Sequence, residues 1–444
     1  MRLRTWIVAA FVIVPFLLCL PGLAVAESAV DAIYAHKHLG VASCSNSVCH
    51  GASQVFRDSH VQQNEFAIWQ ETDPHAKAYA TLEKPASREI ARKLGIGDAT
   101  QAKVCLDCHA DNIAADRRGE RFQASDGVGC EACHGGSELW LNSHADKSVA
   151  HADTVSKGLY PTENPIRRAE LCLSCHMGTR DRMITHRIMG AGHPRLSFEL
   201  DTFTWLGRPH YAIDKDWIAR KGEFNGVRDW AVGQGVAATN LLDQLTDPKA
   251  GWQGIFPELV LFNCYACHKR MSDKSWGPRQ GTGLGPGVVR LYDANLVMFR
   301  HVLAAVDKAA AQRVLDETRA LHRATTESRE ATLGAARRLR ATVGELLPRV
   351  AAAPFDAASL STILADIEAD AARGEYRDYD AAEQAVMAAQ SVVVAYENTG
   401  AIDKAKADAL KAKLDAAYAT LKNENGYSMG GFQSALKALR AAAP

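Results

Sequence analysis

Four copies of Cys-X-X-Cys-His, and one stretched relative, constrain this chain more than any other feature of its 444 residues. The short copies are Cys105-Leu106-Asp107-Cys108-His109, Cys130-Glu131-Ala132-Cys133-His134, Cys172-Leu173-Ser174-Cys175-His176 and Cys264-Tyr265-Ala266-Cys267-His268. The stretched copy, with four residues between its cysteines, runs from Cys44 to Cys49-His50. The short spacing is the attachment signature of c-type haem. Two thiols form thioethers to the vinyl groups, and the adjoining imidazole lies under the iron as proximal ligand. Haem c is therefore the expected cofactor, five copies in all, with His50, His109, His134, His176 and His268 as proximal ligands. The stretched copy reduces the count to four if its longer loop leaves Cys44 unattached. Two alternatives use the same thiols. A four-cysteine zinc site has no need of the histidine that follows the second cysteine every time. A disulfide framework suits an exported chain, yet all ten cysteines after the leader lie inside the five motifs.

That leader is legible. Arg2 and Arg4 precede an apolar run over residues 6–20, and Ala24-Val25-Ala26 stands before Glu27. This is the pattern of a secretory signal peptide, residues 1–26, cut after Ala26. Cys19 follows two leucines rather than a small residue, so no lipoprotein anchor is expected. No later stretch is long and apolar enough to span a bilayer. The mature protein is expected to be soluble and periplasmic, where c-type haem is matured in Gram-negative bacteria. Fifty-one basic residues balance fifty-one acidic ones, which gives no electrostatic case for nucleic acid or an acidic membrane surface.

Composition changes near residue 290. Residues 27–290 hold every motif and every tryptophan except Trp6, whereas 291–444 hold no cysteine or tryptophan and only His301 and His322. We therefore expect a mainly α fold in two parts: a pentahaem cytochrome c domain over 27–290 and a C-terminal helical bundle over 291–444. The glycine-rich stretch 281–287 reads as the loop between them. It is not a dinucleotide fingerprint, since Pro286 takes the third glycine position and no strand precedes it. The first part should hold short helices, loops and little sheet, because porphyrins supply the apolar interior that side chains would otherwise build. Helices are expected over 65–82 and 87–94. The second part is rich in helix formers. Asp356 is a helix N-cap with Leu360, Ile363, Leu364 and Ile367 at helical spacing. Leu410, Leu414, Ala417 and Leu421 repeat likewise, with Gly426 closing that helix. Gly400 closes the preceding one, which contains Val386 and Val393, and Pro348 ends the long first helices. Four to six helices are expected, forming a bundle or packing across a homodimer.

Beyond the five proximal histidines, eleven remain: His36, His38, His60, His75, His144, His151, His186, His193, His210, His301 and His322. An electron carrier uses two axial ligands per iron, whereas a catalytic haem leaves one position open, and counting alone does not choose. The run from Trp69 to Tyr79, containing Asp73-Pro74-His75-Ala76, and the run from Gly127 to Gly135, followed by His144, resemble elements of a known cytochrome family. That family includes the tetrahaem cytochrome that accepts electrons from hydroxylamine oxidoreductase in ammonia oxidisers. The resemblance implies a stacked haem array with His75 and His144 as distal ligands. Across residues 38–272 the chain is also similar to a wider group of exported bacterial multihaem cytochromes, through the run His186 to Leu200, Pro209-His210, the run Trp230 to Gln234, and the fifth motif. His186, His193 and His210 are the further distal candidates, with His151 in reserve. The chain departs from the tetrahaem pattern through its stretched first motif, its fifth motif and its added bundle.

Three functions fit these residues. The first is a periplasmic carrier passing electrons between redox protein partners, from a dehydrogenase or quinol oxidase towards a terminal acceptor. The second is an oxidoreductase acting on a small nitrogen or sulfur compound at a five-coordinate haem. Pentahaem nitrite reductases typically use a lysine-ending motif, and no Cys-X-X-Cys-Lys occurs here. An open iron would fall to His50 or His109, with Arg57, Arg195 or Arg208 meeting an anion. The third is a structural unit of a larger respiratory assembly.

Overall fold

The computed structural model describes residues 28–56, 61–222, 224–268, 281–285 and 288–444. The leader, Arg57, His60, Pro286 and Gly287 lie outside the described residues. The fold is mainly α: twenty α-helices and a single two-stranded hairpin occur among the described residues. In the hairpin Trp252 pairs with Pro257 and Gln253 with Phe256.

The short motifs lie on or against helical backbone: two wholly within Lys103–His109 and Pro165–His176, one with Cys130 as the N-cap of Glu131–His134, and one with His268 just past the end of Cys264–Cys267. The reason is local: positions i, i+3 and i+4 share one helix face, so two thiols and the imidazole point the same way. In the stretched copy the two extra residues exceed one turn. Turns form instead, with Cys49 N–H donating to Asn46 O (2.8 Å) and His50 N–H to Cys44 O (3.3 Å). The helix expected over 65–82 is divided into Glu65–Thr72, a 3₁₀ turn over Pro74–Lys77, and Ala78–Leu82. Pro74 forces the break, because the residue before a proline avoids helical geometry and Asp73 is extended. The next helix starts at Pro85, a favoured first position, and ends on Gly95 in left-handed geometry.

Side chains build little core around the first three motifs. Two small clusters are found, Ala29, Ile33 and Tyr160, and Leu82, Ala91 and Ala99. The main core instead runs without interruption from Ala169 to Leu439. Its axis is the Gly226–Thr246 helix, with Val227, Trp230, Val232 and Leu242 buried on all sides. That helix packs on Pro165–His176, which carries the fourth motif, and on Ala294–Val306, Arg329–Ala352 and Tyr379–Asn398. Gly235 sets the closeness of this packing: a Cβ there would lie 2.7 Å from Leu347 Cδ1 and 2.8 Å from Phe299 Cε2. A buried amide ladder fixes the register. Asn295 donates to Gln234 (2.8 Å), Gln234 to Gln384 (3.0 Å), and Gln384 to Phe198 O (3.2 Å).

Seven helices follow residue 290 among the described residues, not four to six: Ala294–Val306, Lys308–Ala324, Arg329–Ala352, Ala357–Arg373, Tyr379–Asn398, Lys404–Ala419 and Met429–Ala442. Pro348 does not end its helix, which continues to Ala352. Termination comes from Pro354, which draws Ala353 into extended geometry. Gly426 lies in a separate 3₁₀ turn, Glu424–Gly426, because Lys404–Ala419 already stops at Thr420. Asp356 caps as expected, accepting from Ser359 N–H (2.9 Å), and Gly400 follows its helix with φ 70°. The named leucines and isoleucines of both periodic segments are buried. No helix of the described residues is long and apolar enough to cross a membrane.

Candidate haem-binding sites

The structure sets one distant imidazole opposite each motif imidazole. Ring centroids are 6.1 Å apart for His50 and His144, 6.4 Å for His109 and His193, and 6.2 Å for His134 and His210. They are 5.8 Å apart for His176 and His75, and 6.1 Å for His268 and His186. A first-row metal binds imidazole nitrogen at about 2.0–2.1 Å and the centroid lies about 1.2 Å behind it, so two rings facing through one ion would stand about 6.5 Å apart. The observed 5.8–6.4 Å spacings come close to that value, so each pair of imidazoles could hold one iron between them. Each histidine occurs in one pair only. The reserve candidate, His151, lies against Glu163 instead (2.9 Å). His38 is buried between Asp111 (2.6 Å) and Ile33 O (3.0 Å), and His301 between Asp366 (2.6 Å) and Tyr376 (2.8 Å).

Local chemistry aims these rings. Asp73 caps the turn that holds His75, accepting both its backbone N–H (2.9 Å) and its Nδ1–H (2.8 Å). His50 Nδ1 donates to Glu65 Oε2 (3.0 Å). Three others donate Nδ1–H to backbone carbonyls: His109 to Ala78 (3.2 Å), His193 to Pro194 (2.8 Å) and His144 to Leu141. An oxygen acceptor at Nδ1 fixes the proton there and leaves the Nε2 lone pair for a ligand. His176 stacks on Phe198 at 4.1 Å, and Trp140 stands edge-on to His144 at 5.3 Å. Burial keeps His134 neutral down to about 3 and His176 down to about 4. Metal ligation needs that neutral form.

These groups line one cavity of about 2190 Å³. Pockets for a single ligand hold about 300–1,000 Å³, so this one has room for several. Cysteines and histidines of the first four motifs face it, together with His75, His144, His193 and His210. None of the ten described cysteines forms a disulfide. The thiols that meet belong to different motifs: Cys44 hydrogen-bonds with Cys130, and Cys108 with Cys175. No group of three or more His, Cys, Asp or Glu among the described residues converges as a metal ion's ligand set.

Residues 43–135 match the family described as cytochrome c554 and c-prime. Cytochrome c-554 of Nitrosomonas europaea is 29% identical over 120 residues, which are 24% of this chain and 50% of that relative. No solved structure matches the chain. The cytochrome c554 match covers the first three motifs and His75, and carries the expectation of covalently bound haem c into the segment that lines the cavity. The chain spans half the length of that relative. His144, His193 and His210 reach the cytochrome c554 segment from outside it.

The fifth motif lies apart from the shared cavity, against the bundle. Asn263 caps its helix through Tyr265 N–H (3.0 Å) and Ala266 N–H (3.2 Å), and Tyr265 packs on Tyr379 at 5.9 Å. His186, opposite His268, is held by its N–H on buried Glu258 (2.8 Å). Of the arginines named as anion binders, Arg195 and Arg208 are among the described residues. Arg195 is ion-paired with Asp380 (2.7 Å) and Glu383 (3.1 Å) of the bundle, while Arg208 sits in a left-handed turn before Pro209-His210. Sequence reasoning passed over Glu65, Asp73 and Phe198. Only Asp73, one residue before a proline and two before a candidate ligand, carried a readable signal.

Proposed function

We propose that this chain is a periplasmic pentahaem c-type cytochrome that carries electrons between redox partners. One observation carries the reading: five motif imidazoles each face a second imidazole, 5.8–6.4 Å away, with no ring shared. Haem iron would supply one-electron chemistry, and at every motif two of the chain's own imidazoles would hold it. His75, His144, His186, His193 and His210 are the proposed distal ligands, and the ten motif cysteines the attachment points. The alternative, an oxidoreductase with an open iron, needs a motif histidine without a partner, and both candidates for it, His50 and His109, have one.

The contacts between sites support a linear order. The Cys44–Cys130 contact joins the first site to the third. Val128 N–H on His75 O (3.1 Å) joins the third to the fourth, where Gly127 is required because a Cβ would lie 2.6 Å from His75 O. Cys108–Cys175 joins the fourth to the second, and the run from His186, which opens the short His186–Ala191 helix, to His193, just past its end, joins the fifth to the second. Redox proteins would then meet the chain near its first and fifth sites. Residues 27–290 form the proposed haem-carrying part and 291–444 its support. No large apolar side chain is exposed among the described residues of 291–444, which favours a brace within one chain over a homodimer surface.

The test is the ferric protein purified from a host competent to mature cytochromes. A wholly low-spin spectrum, indifferent to cyanide and nitric oxide, with a mass five haems above the mature chain, is the expected result. A high-spin signal with rapid ligand binding would give the enzyme reading the better claim.

A further inference from the structure

The Nδ1 acceptors divide the sites into two electrostatic kinds. At the first site His50 donates to the Glu65 carboxylate (3.0 Å), and at the fourth His75 donates to the Asp73 carboxylate (2.8 Å). At the second site both rings, His109 and His193, donate to neutral backbone carbonyls (3.2 and 2.8 Å). The two carboxylates are largely shielded, with side-chain exposures of 18% for Glu65 and 16% for Asp73. Water therefore screens their charge only in part.

Two effects act in one direction. An anionic acceptor draws the Nδ1 proton and makes the imidazole a stronger donor through Nε2. Its negative charge also favours the iron state that carries one more positive charge, the ferric one. Carbonyl acceptors provide the first effect weakly and the second not at all. We propose that Glu65 and Asp73 are positioning residues that lower the reduction potentials of the first and fourth sites below that of the second. The inference rests on the bis-histidine reading above and adds to it which sites hold an electron least.

Asp73 has a second duty as a turn cap, and the test must separate the two. Asp73→Asn keeps a capping oxygen of the same reach and removes only the charge. Asp73→Glu keeps the charge and disturbs the cap. Arg182, hydrogen-bonded to Cys175 Sγ (2.9 Å), places a cation beside the fourth motif. It is present in all variants and cancels from the differences. Glu65→Gln is the independent probe at the first site.

The experiment is a potentiometric titration of the full, haem-loaded chain and of each variant, with haem count and spin state measured alongside. Loss of an outer partner commonly changes a site's properties about tenfold. A tenfold change in the ferric-to-ferrous ratio is about 59 mV for one electron. Asp73→Asn should raise one midpoint by roughly that amount, Glu65→Gln should raise a different one, and Asp73→Glu should leave the midpoints near those of the unaltered protein. Five low-spin haems with unmoved midpoints in both charge-removing variants would overturn the inference while leaving the carrier function standing. A high-spin spectrum in the unaltered protein would remove the carrier function itself.

Discussion

Single imidazoles decide whether this protein conducts or catalyses, and His193 shows how narrow the margin is. It lies just past the His186–Ala191 helix, after Gly192, and its Nδ1–H on Pro194 O points the other nitrogen at His109. Its ring centroid stands 6.4 Å from that of His109. His193→Gly should therefore leave one iron in five with an open position. The expected result is a high-spin ferric component of about one haem, binding cyanide and reversed by added imidazole, with the remaining haems unchanged. An unaltered low-spin spectrum would mean that a different side chain faces His109. The carboxylates Glu65 and Asp73 act one bond further out, through the rings they hold.

At the scale of elements, small residues let the Gly226–Thr246 helix approach its neighbours. Gly233 packs on Leu200, and Gly235 on Leu347 and Phe299. Gly235→Ala inserts a methyl where two side chains already stand within 3 Å, and overpacking of this kind costs about 1–3 kcal/mol. Gly334, inside Arg329–Ala352, offers the matched comparison, since its nearest neighbour is the mobile end of Arg338 at 3.6 Å. There alanine should stabilise by about 0.5–1 kcal/mol. Thermal unfolding of the two variants should shift in opposite directions, and a stabilised Gly235→Ala would contradict the close approach. The same scale explains the helix ends. Asp356 and Gly400 act through hydrogen bonds and dihedrals set by a few neighbours, so they are visible in a sequence window. Pro348 gives up one hydrogen bond to the preceding turn, yet its helix continues to Ala352.

For the molecule as a whole, the apolar core and the haem cavity are built by different means and share one wall. Pro165–His176 contributes Cys172 and Cys175 to the cavity and Ala169 and Leu173 to the core. Removing residues after 290 would strip the Gly226–Thr246 helix of its partners in Ala294–Val306, Arg329–Ala352 and Tyr379–Asn398. We expect such a truncated chain to accumulate poorly and to lose haem at the fourth and fifth motifs, read from soluble yield and haem absorbance per chain. A soluble fragment carrying all five haems would show that the bundle is dispensable.

Motif spacing, the mainly α class and the buried faces of the C-terminal helices could be read from the chain alone, because each depends on residues within one or two turns of one another. The distal histidines could be shortlisted, but pairing them with motifs could not, since His109 and His193 are 84 positions apart and no local rule links them. The uninterrupted core across residue 290 and the Glu65 carboxylate behind His50 likewise arise from contacts outside any one helical turn, whereas Asp73 stands only two residues before His75. Covalent chemistry is written in short windows of sequence; which imidazole completes which iron is decided by how the whole chain closes around the cavity.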